Sequence, residues 1–258
     1  MAASDKLGVA GAEPAGAQDP QAAARAVREM FTAIAPRYDL LNHLLSMNVD
    51  RLWWRRAARS FAHILARPGA CVLDLCCGTA DMARALRHRA AESAAIFGID
   101  FSHAMLRLAR YKVRDGVMLV EADALGLPVR DACFDLVVSA FGFRNLASYD
   151  AGLAEISRVL RPGGEVGILD FAEPKGLLGK VYRVYFRRVL PVVGTIISGV
   201  RGPYAYLPAS VERFPEPSQM LERMRFAGFH DLSWTPYTFG IAGLYCGRKL
   251  DQSAQNPA

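Results

Sequence analysis

The five cysteines of this chain form no CxxC pair and no Cys/His spacing suited to a metal. Disulfide frameworks and zinc modules are thereby excluded. With no secretory signal ahead of them, a reduced, cytoplasmic setting is expected. Long apolar runs are missing too: VLPVVGTIISGV at 189–200, the longest charge-free apolar stretch of the basic region, has 12 residues, short of the roughly 20 that a spanning helix needs. The turn after the first apolar run, LDLCCGTAD, lacks the GK[ST] of a phosphate loop and the three glycines of a dinucleotide fingerprint. Phosphate is not its ligand. Residues 1–24 contain a single lysine amid Ala, Gly and Pro, too little basic charge for a transit peptide, and are expected to be a disordered arm. A second disordered segment is expected at 250–258.

What is present fits one large α/β domain over residues 25–249: 258 residues in all, 52% of them hydrophobic. The net charge of +6 permits an anionic partner and selects none unless the charges cluster. Val27, Met30, Phe31 and Ile34 recur at helical spacing, as do Leu41, Leu44 and Leu45, then Trp53, Trp54, Ala57, Phe61 and Ile64. After Pro68-Gly69 the pattern changes to short apolar runs, ACVLDL, AIFGID, VMLVEAD, FDLVVSA and EVGILDF, separated by helical segments. Strands alternating with helices imply a parallel sheet wound on both faces. QMLERMRFAGF, HDLSWTPYT and GIAGLYCGRK read as a final helix and hairpin.

In such a sheet, ligands bind at the carboxyl ends of the strands, near the switch in strand order. The first end carries Asp74 and the turn Cys77-Gly78-Thr79-Ala80-Asp81. Gly78 would let the backbone approach a ligand, while Thr79 or Asp81 could bind it or cap the next helix. The second strand ends at Asp100, an acid able to accept two hydrogen bonds from ribose hydroxyls. The third ends at Glu121-Ala122-Asp123, from which Asp123 can reach the amino edge of an adenine. Any one of these acids could be a helix cap; acids at three successive strand ends point to a nucleoside. Ribose and adenine recognition without a phosphate cradle points to S-adenosylmethionine. Cys76 and Cys77 stand where small residues are wanted and read as compact packing, since no neighbouring base would lower a thiol pKa.

These residues resemble the class I S-adenosylmethionine methyltransferases, and within them the ubiquinone/menaquinone biosynthesis C-methyltransferases, over about residues 27–249. The resemblance is carried by Tyr38-Asp39-Leu40-Leu41-Asn42, Ser46, Arg51-Leu52-Trp53, LDLCCGTAD, GIDFS, EADALGLP, FGFRN, RVLRPGG and YAYLPASV. It implies a Rossmann-like, mostly parallel seven-stranded sheet with N-terminal helices and a helical insertion after the fifth strand. Thr79, Asp100, Asp123 and Ala124 are implied as cofactor contacts, and Tyr38, Arg144, Asn145, Tyr206 and Ser210 as the substrate side. Four positions depart from the family: Ala80 replaces a glycine, Asp50 a frequent histidine, Ala205 an arginine, and Ala140 a serine, so only the Ala140 backbone could serve the cofactor.

The implied reaction methylates a ring carbon of a polyprenyl quinol. Losing a phenolic proton makes that carbon more nucleophilic, so the site needs a phenolate-stabilising group and a proton acceptor. Arg144 suits the first; Tyr38, His43 or a water held by Arg144 and Asn145 are candidates for the second. The segment 175–211 holds six basic residues and no acid. Lys180, Arg183 and Arg187 share one helical face, which suits an anionic membrane surface carrying the prenyl tail or, equally, a homodimer contact. An RNA methyltransferase and a non-enzymatic adenosine-binding module are the rival classes. FGFRN is no base-stacking motif and the basic residues alternate with aliphatic ones, so nucleic acid is not expected. A naphthoquinol is favoured over a benzoquinol because YDLLNHLLSMNVDRLW looks closer to menaquinone-type relatives.

Overall fold

The computed structural model describes residues 11–12, 14, 19–39, 46, 48–113, 116–174 and 203–250. The expected helix around Leu41–Leu45, the candidate base His43, and the insertion as far as residue 202 lie outside the described residues, as does the tail from 251. Seven strands form one sheet in the order β3-β2-β1-β4-β5-β7-β6. They are β1 (Cys71–Leu75), β2 (Ala95–Asp100), β3 (Met118–Glu121), β4 (Phe134–Ala140), β5 (Leu160–Phe171), β6 (Phe229–Tyr237) and β7 (Ala242–Lys249). The first five pair in parallel, and β7 runs antiparallel between β5 and β6. The seven-stranded, mostly parallel doubly wound sheet is therefore as expected.

Helices cover both faces. Trp53, Ala57 and Phe61, from α2 (Val49–Ser60) and the residue joining it to α3 (Ala62–Leu65), pack with Met82 and Leu86 of α4 (Asp81–Arg87) against one face. Leu153 and Ile156 of α6 (Tyr149–Val159) pack with Met220 and Met224 of α8 (Pro217–Phe226) against the other. Buried on both sides, β1 and β4 read as continuous apolar runs, as central parallel strands should. α5 (His103–Lys112) starts at Ser102, whose hydroxyl accepts from the Met105 amide. α7 (Pro203–Arg213) follows the undescribed segment.

One boundary is corrected. Helix α1 spans Pro20–Ile34, so the last residues of the expected arm over 1–24 are helical. Asp19 accepts from the Ala22 amide at 2.6 Å and Pro20 occupies the first turn. An Asp cap followed by Pro is a helix start, and the apolar spacing that begins at Val27 concealed it. Arg28 of this helix donates to Glu121 at the end of β3 (2.6 Å), and Thr32 lies 3.4 Å from the Ser102 hydroxyl. The helix therefore crosses the carboxyl edge of the sheet.

Strand register brings the acids together. Asp74 sits opposite Gly98 and Val138, Asp100 opposite Glu121, and Ala140 opposite Leu169, one residue before Asp170. Parallel strands in this register end at a common edge, and β1 and β4 flank the point where strand order reverses.

Candidate active site

A cavity of about 350 Å³ opens at that edge. Asp74, Gly78, Thr79, Asp100, Asp123, Ala124 and Ala140 line one part of it, and Tyr38, Arg144, Asn145 and Tyr206 another. Ser210 is buried on α7 and is not among the lining residues. Ser210 stands one helical turn after Tyr206, which does line the cavity.

Asp100 accepts the Gly78 amide on Oδ2 at 2.8 Å and the Ser102 amide on Oδ1 at 2.9 Å. The carboxylate, which the Phe101 amide also approaches, retains acceptor capacity for a ribose hydroxyl. Burial raises its pKa to about 6, against the lowering effect of those amides. Asp74 is fully buried; its Oδ2 accepts the Ala83 amide at 2.8 Å and its Oδ1 has no partner. Burial holds Asp74 well above the usual carboxylate range. An unpartnered buried carboxylate oxygen in the cavity wall fits an ammonium group, such as that of the methionyl part of S-adenosylmethionine. Asp123 is exposed at the rim, where Oδ1 accepts the Leu125 amide at 2.9 Å.

The turn between these acids is tightly bent. Cys76, Gly78 and Ala80 have φ of 57°, 53° and 66°. Ala80 thus takes the left-handed conformation that a glycine would occupy freely, at a cost of about 1 kcal/mol. Gly142, after β4, sits so close to Cys76 that any side chain on it would collide with the Cys76 Cβ. The two thiols are packing elements here: burial first, then the nearby aspartates, pushes both pKa values well above normal, which leaves them protonated.

Thr79 is not free to donate to a ligand. Its hydroxyl donates to Asp39 at 2.6 Å and accepts from Lys112 Nζ at 2.8 Å. Lys112 also reaches Asp39 (2.7 Å) and Asp81 (2.8 Å). This cluster ties the segment after α1 to the cofactor turn and to α5, so the side-chain contact expected of Thr79 is redirected inward. Thr79 nonetheless lines the cavity.

On the other side, Arg144 is 5% and Asp170 0% exposed. Arg144 Nη1 donates to Asp170 Oδ1 at 2.8 Å and to the Phe141 carbonyl, and the Arg144 amide donates to Asp170 Oδ2 at 3.1 Å. Burial opposes the guanidinium charge, but Asp170 outweighs it and raises the Arg144 pKa. Nε has no partner. The guanidinium expected to be free for a phenolate is therefore held on one edge by Asp170, with only its remaining edge open. Tyr206 donates to Asn145 Oδ1 at 3.2 Å, and burial raises the Tyr206 pKa, so the phenol stays protonated. Trp53, Phe141 and Phe171 form an aromatic wall, with centroids 5.7 Å (Trp53–Phe141) and 4.6 Å (Phe141–Phe171) apart.

Asp170 is the residue sequence reasoning passed over. It is the next-to-last residue of the apolar run EVGILDF and a fourth strand-end acid by the logic applied to the first three. Asp39 and Lys112 carry no comparable signal, because only the folded chain brings them together.

Acids gathered at the switch point of a 3-2-1-4-5-7-6 sheet fit a class I methyltransferase architecture. A solved S-adenosylmethionine-dependent methyltransferase of Thermotoga maritima, described as a possible histamine N-methyltransferase, superposes with TM-score 0.60 at 18% identity, covering 86% of this chain and 99% of that one; what is shared there is the fold. The chain belongs to the ubiE/COQ5 methyltransferase family, matched over residues 19–249. It is 49% identical over 235 residues to the demethylmenaquinone methyltransferase of Deinococcus radiodurans, covering 90% of this chain and 95% of that protein. It is likewise 49% identical over 222 residues to the protein of the same name from Thermus thermophilus, covering 84% of this chain and 99% of the relative.

Proposed function

We propose that the chain methylates a ring carbon of a polyprenyl quinol, demethylmenaquinol in preference to a benzoquinol, with S-adenosylmethionine as donor. One observation carries this: a single cavity holds Asp74, Asp100 and Asp123 beside a buried Arg144–Asp170 pair and an aromatic wall. The two relatives at 49% identity bear the menaquinone name. S-adenosylmethionine supplies an electrophilic sulfonium methyl group. Asp100 binds the ribose hydroxyls, Asp123 and Ala124 the adenine, the Ala140 backbone borders the donor, and Asp74 takes the ammonium.

The aromatic wall of Trp53, Phe141 and Phe171 stacks the quinol ring. Arg144, its orientation fixed by Asp170, donates to the ring oxygen as phenolate charge develops. Asn145, locked by Tyr206, fixes the second oxygen, and Tyr38 or a water between Arg144 and Asn145 takes the ring proton. The phenolic proton passes to water as the phenolate forms, the carbon–carbon bond forms as the carbon–sulfur bond breaks, and loss of the ring proton with return of a proton to the oxygen restores the aromatic quinol. Methyl-labelled S-adenosylmethionine with reduced demethylmenaquinol in one reaction and total RNA in another tests this. Label in the quinol carries the proposal; label in RNA alone, or in neither, overturns it.

A further inference from the structure

Leu52, Arg55, Arg56 and Arg59 follow one another at i, i+3, i+4 and i+7 on α2, and all four are exposed, Leu52 at 61%. The opposite face of the helix buries Trp53, Ala57 and Ala58. Arg51 is exposed beside the stripe, and Asp50, the one acid of the helix, is buried. Among the described residues, none of Arg51, Arg55, Arg56 and Arg59 is ion-paired.

The stripe is continuous with the tip of the β6–β7 hairpin. Arg56 stacks its guanidinium 4.3 Å above the Tyr237 ring, and Trp53 Nε1 donates to Thr238 Oγ1 at 2.8 Å. Phe239, the next residue, is 83% exposed. It and Thr238 have φ of 58° and 45°. Two successive left-handed residues, one of them β-branched, are sterically disfavoured, and here they hold an aromatic ring out into water. Val49, Trp53, Trp54, Thr238 and Ile241 meanwhile line the cavity, so stripe and tip stand at its rim.

We infer that α2 and the β6–β7 tip form a docking surface for an anionic lipid bilayer, with Phe239 and Leu52 entering the interface and Arg51, Arg55, Arg56 and Arg59 meeting the headgroups. Charge complementarity selects this occupant. Unpaired guanidiniums around an apolar tip match acidic headgroups over acyl chains. A second copy on the same face would set arginines against arginines across a two-fold axis. RNA would need several exposed stacking rings, and the tip supplies one. The surface rests on the quinol proposal in one respect only: it places the apolar wall of the cavity where a prenyl tail could stay in lipid.

Co-sedimentation of the full chain with vesicles of phosphatidylcholine and phosphatidylglycerol in equal parts, or of phosphatidylcholine alone, tests the inference. The wild type should bind the anionic vesicles more tightly. Basic residues near an anionic leaflet contribute roughly fivefold each, so Arg55→Ser with Arg59→Ser should weaken that binding by about twenty-fivefold. Phe239→Ser should weaken binding to both vesicle types by at least about threefold. Thermal midpoints and turnover of a short-tailed soluble quinol should be unchanged in these variants. Wild-type protein that ignores the vesicles, or variants that bind them as well as wild type, overturns the surface. So does sedimentation velocity showing a dimer that these substitutions dissociate. Failure to turn over the short-tailed quinol with vesicle behaviour as described strikes the quinol proposal and leaves the surface standing.

Discussion

Lowering the pH from 7 to 5 should cost the protein about tenfold in S-adenosylmethionine affinity, through Asp100. Its pKa stands near 6 against an unperturbed 3.8. The ribose hydroxyls need the ionised carboxylate, because a protonated oxygen would offer a donor where an acceptor is required. With a pKa of about 6, the ionised fraction falls from about nine-tenths at pH 7 to about one-tenth at pH 5, a tenfold loss. Folding of the ligand-free protein responds with the opposite sign. Because the folded pKa is raised, the proton stabilises the fold below the unfolded pKa, and that contribution, about 3 kcal/mol for the full shift, is lost as pH rises through about 6. Cofactor affinity and ligand-free stability should thus move in opposite directions between pH 4 and 7. Isothermal calorimetry at several pH values, in buffers of different ionisation enthalpy, would detect the accompanying proton release. Asp100→Asn should bind weakly and without this slope. Affinity that is flat from pH 5 to 8, or a slope that survives Asp100→Asn, would refute the assignment; in the second case Asp74, also raised by burial, becomes the titrating group.

Asp170→Asn leaves the Arg144 charge buried without a counter-ion and should destabilise the fold by about 3–5 kcal/mol by urea denaturation; a change below about 1 kcal/mol would mean that water replaces the carboxylate. Arg144→Lys, which keeps the charge and loses the fork, should lower kcat far more than it raises KM, and equal effects on both would make Arg144 a binding residue only. Lys112→Met leaves Asp39 and Asp81 facing each other across Thr79, so it should weaken cofactor binding about three- to tenfold and speed proteolysis near α1; normal proteolysis with normal affinity would show that the cluster does not hold that segment. Cys77→Ala should keep most of the turnover, since burial keeps the thiol protonated, and a thousandfold loss of turnover with cofactor binding intact would contradict a packing role.

The amino-acid sequence by itself determined the alternation of strands and helices, the winding of the sheet, and the acids Asp74, Asp100 and Asp123. Each is written locally, as an apolar run long enough for a buried strand that stops at a polar residue. Arg144 and Tyr206 were legible through family motifs, while the start of α1 at Asp19-Pro20 was hidden by an Ala-rich segment whose cap residues look like those of a loop. Only tertiary structure decided what these side chains touch. Register placed Asp170 against Arg144 and turned a free cation into half of a buried pair. Packing of the segment after α1 against α5 placed Asp39 and Lys112 on the Thr79 hydroxyl and took it from the ligand. Hydrogen-bond partners come from distant parts of the chain, and a buried group's charge depends on all of them together, so no local pattern encodes them.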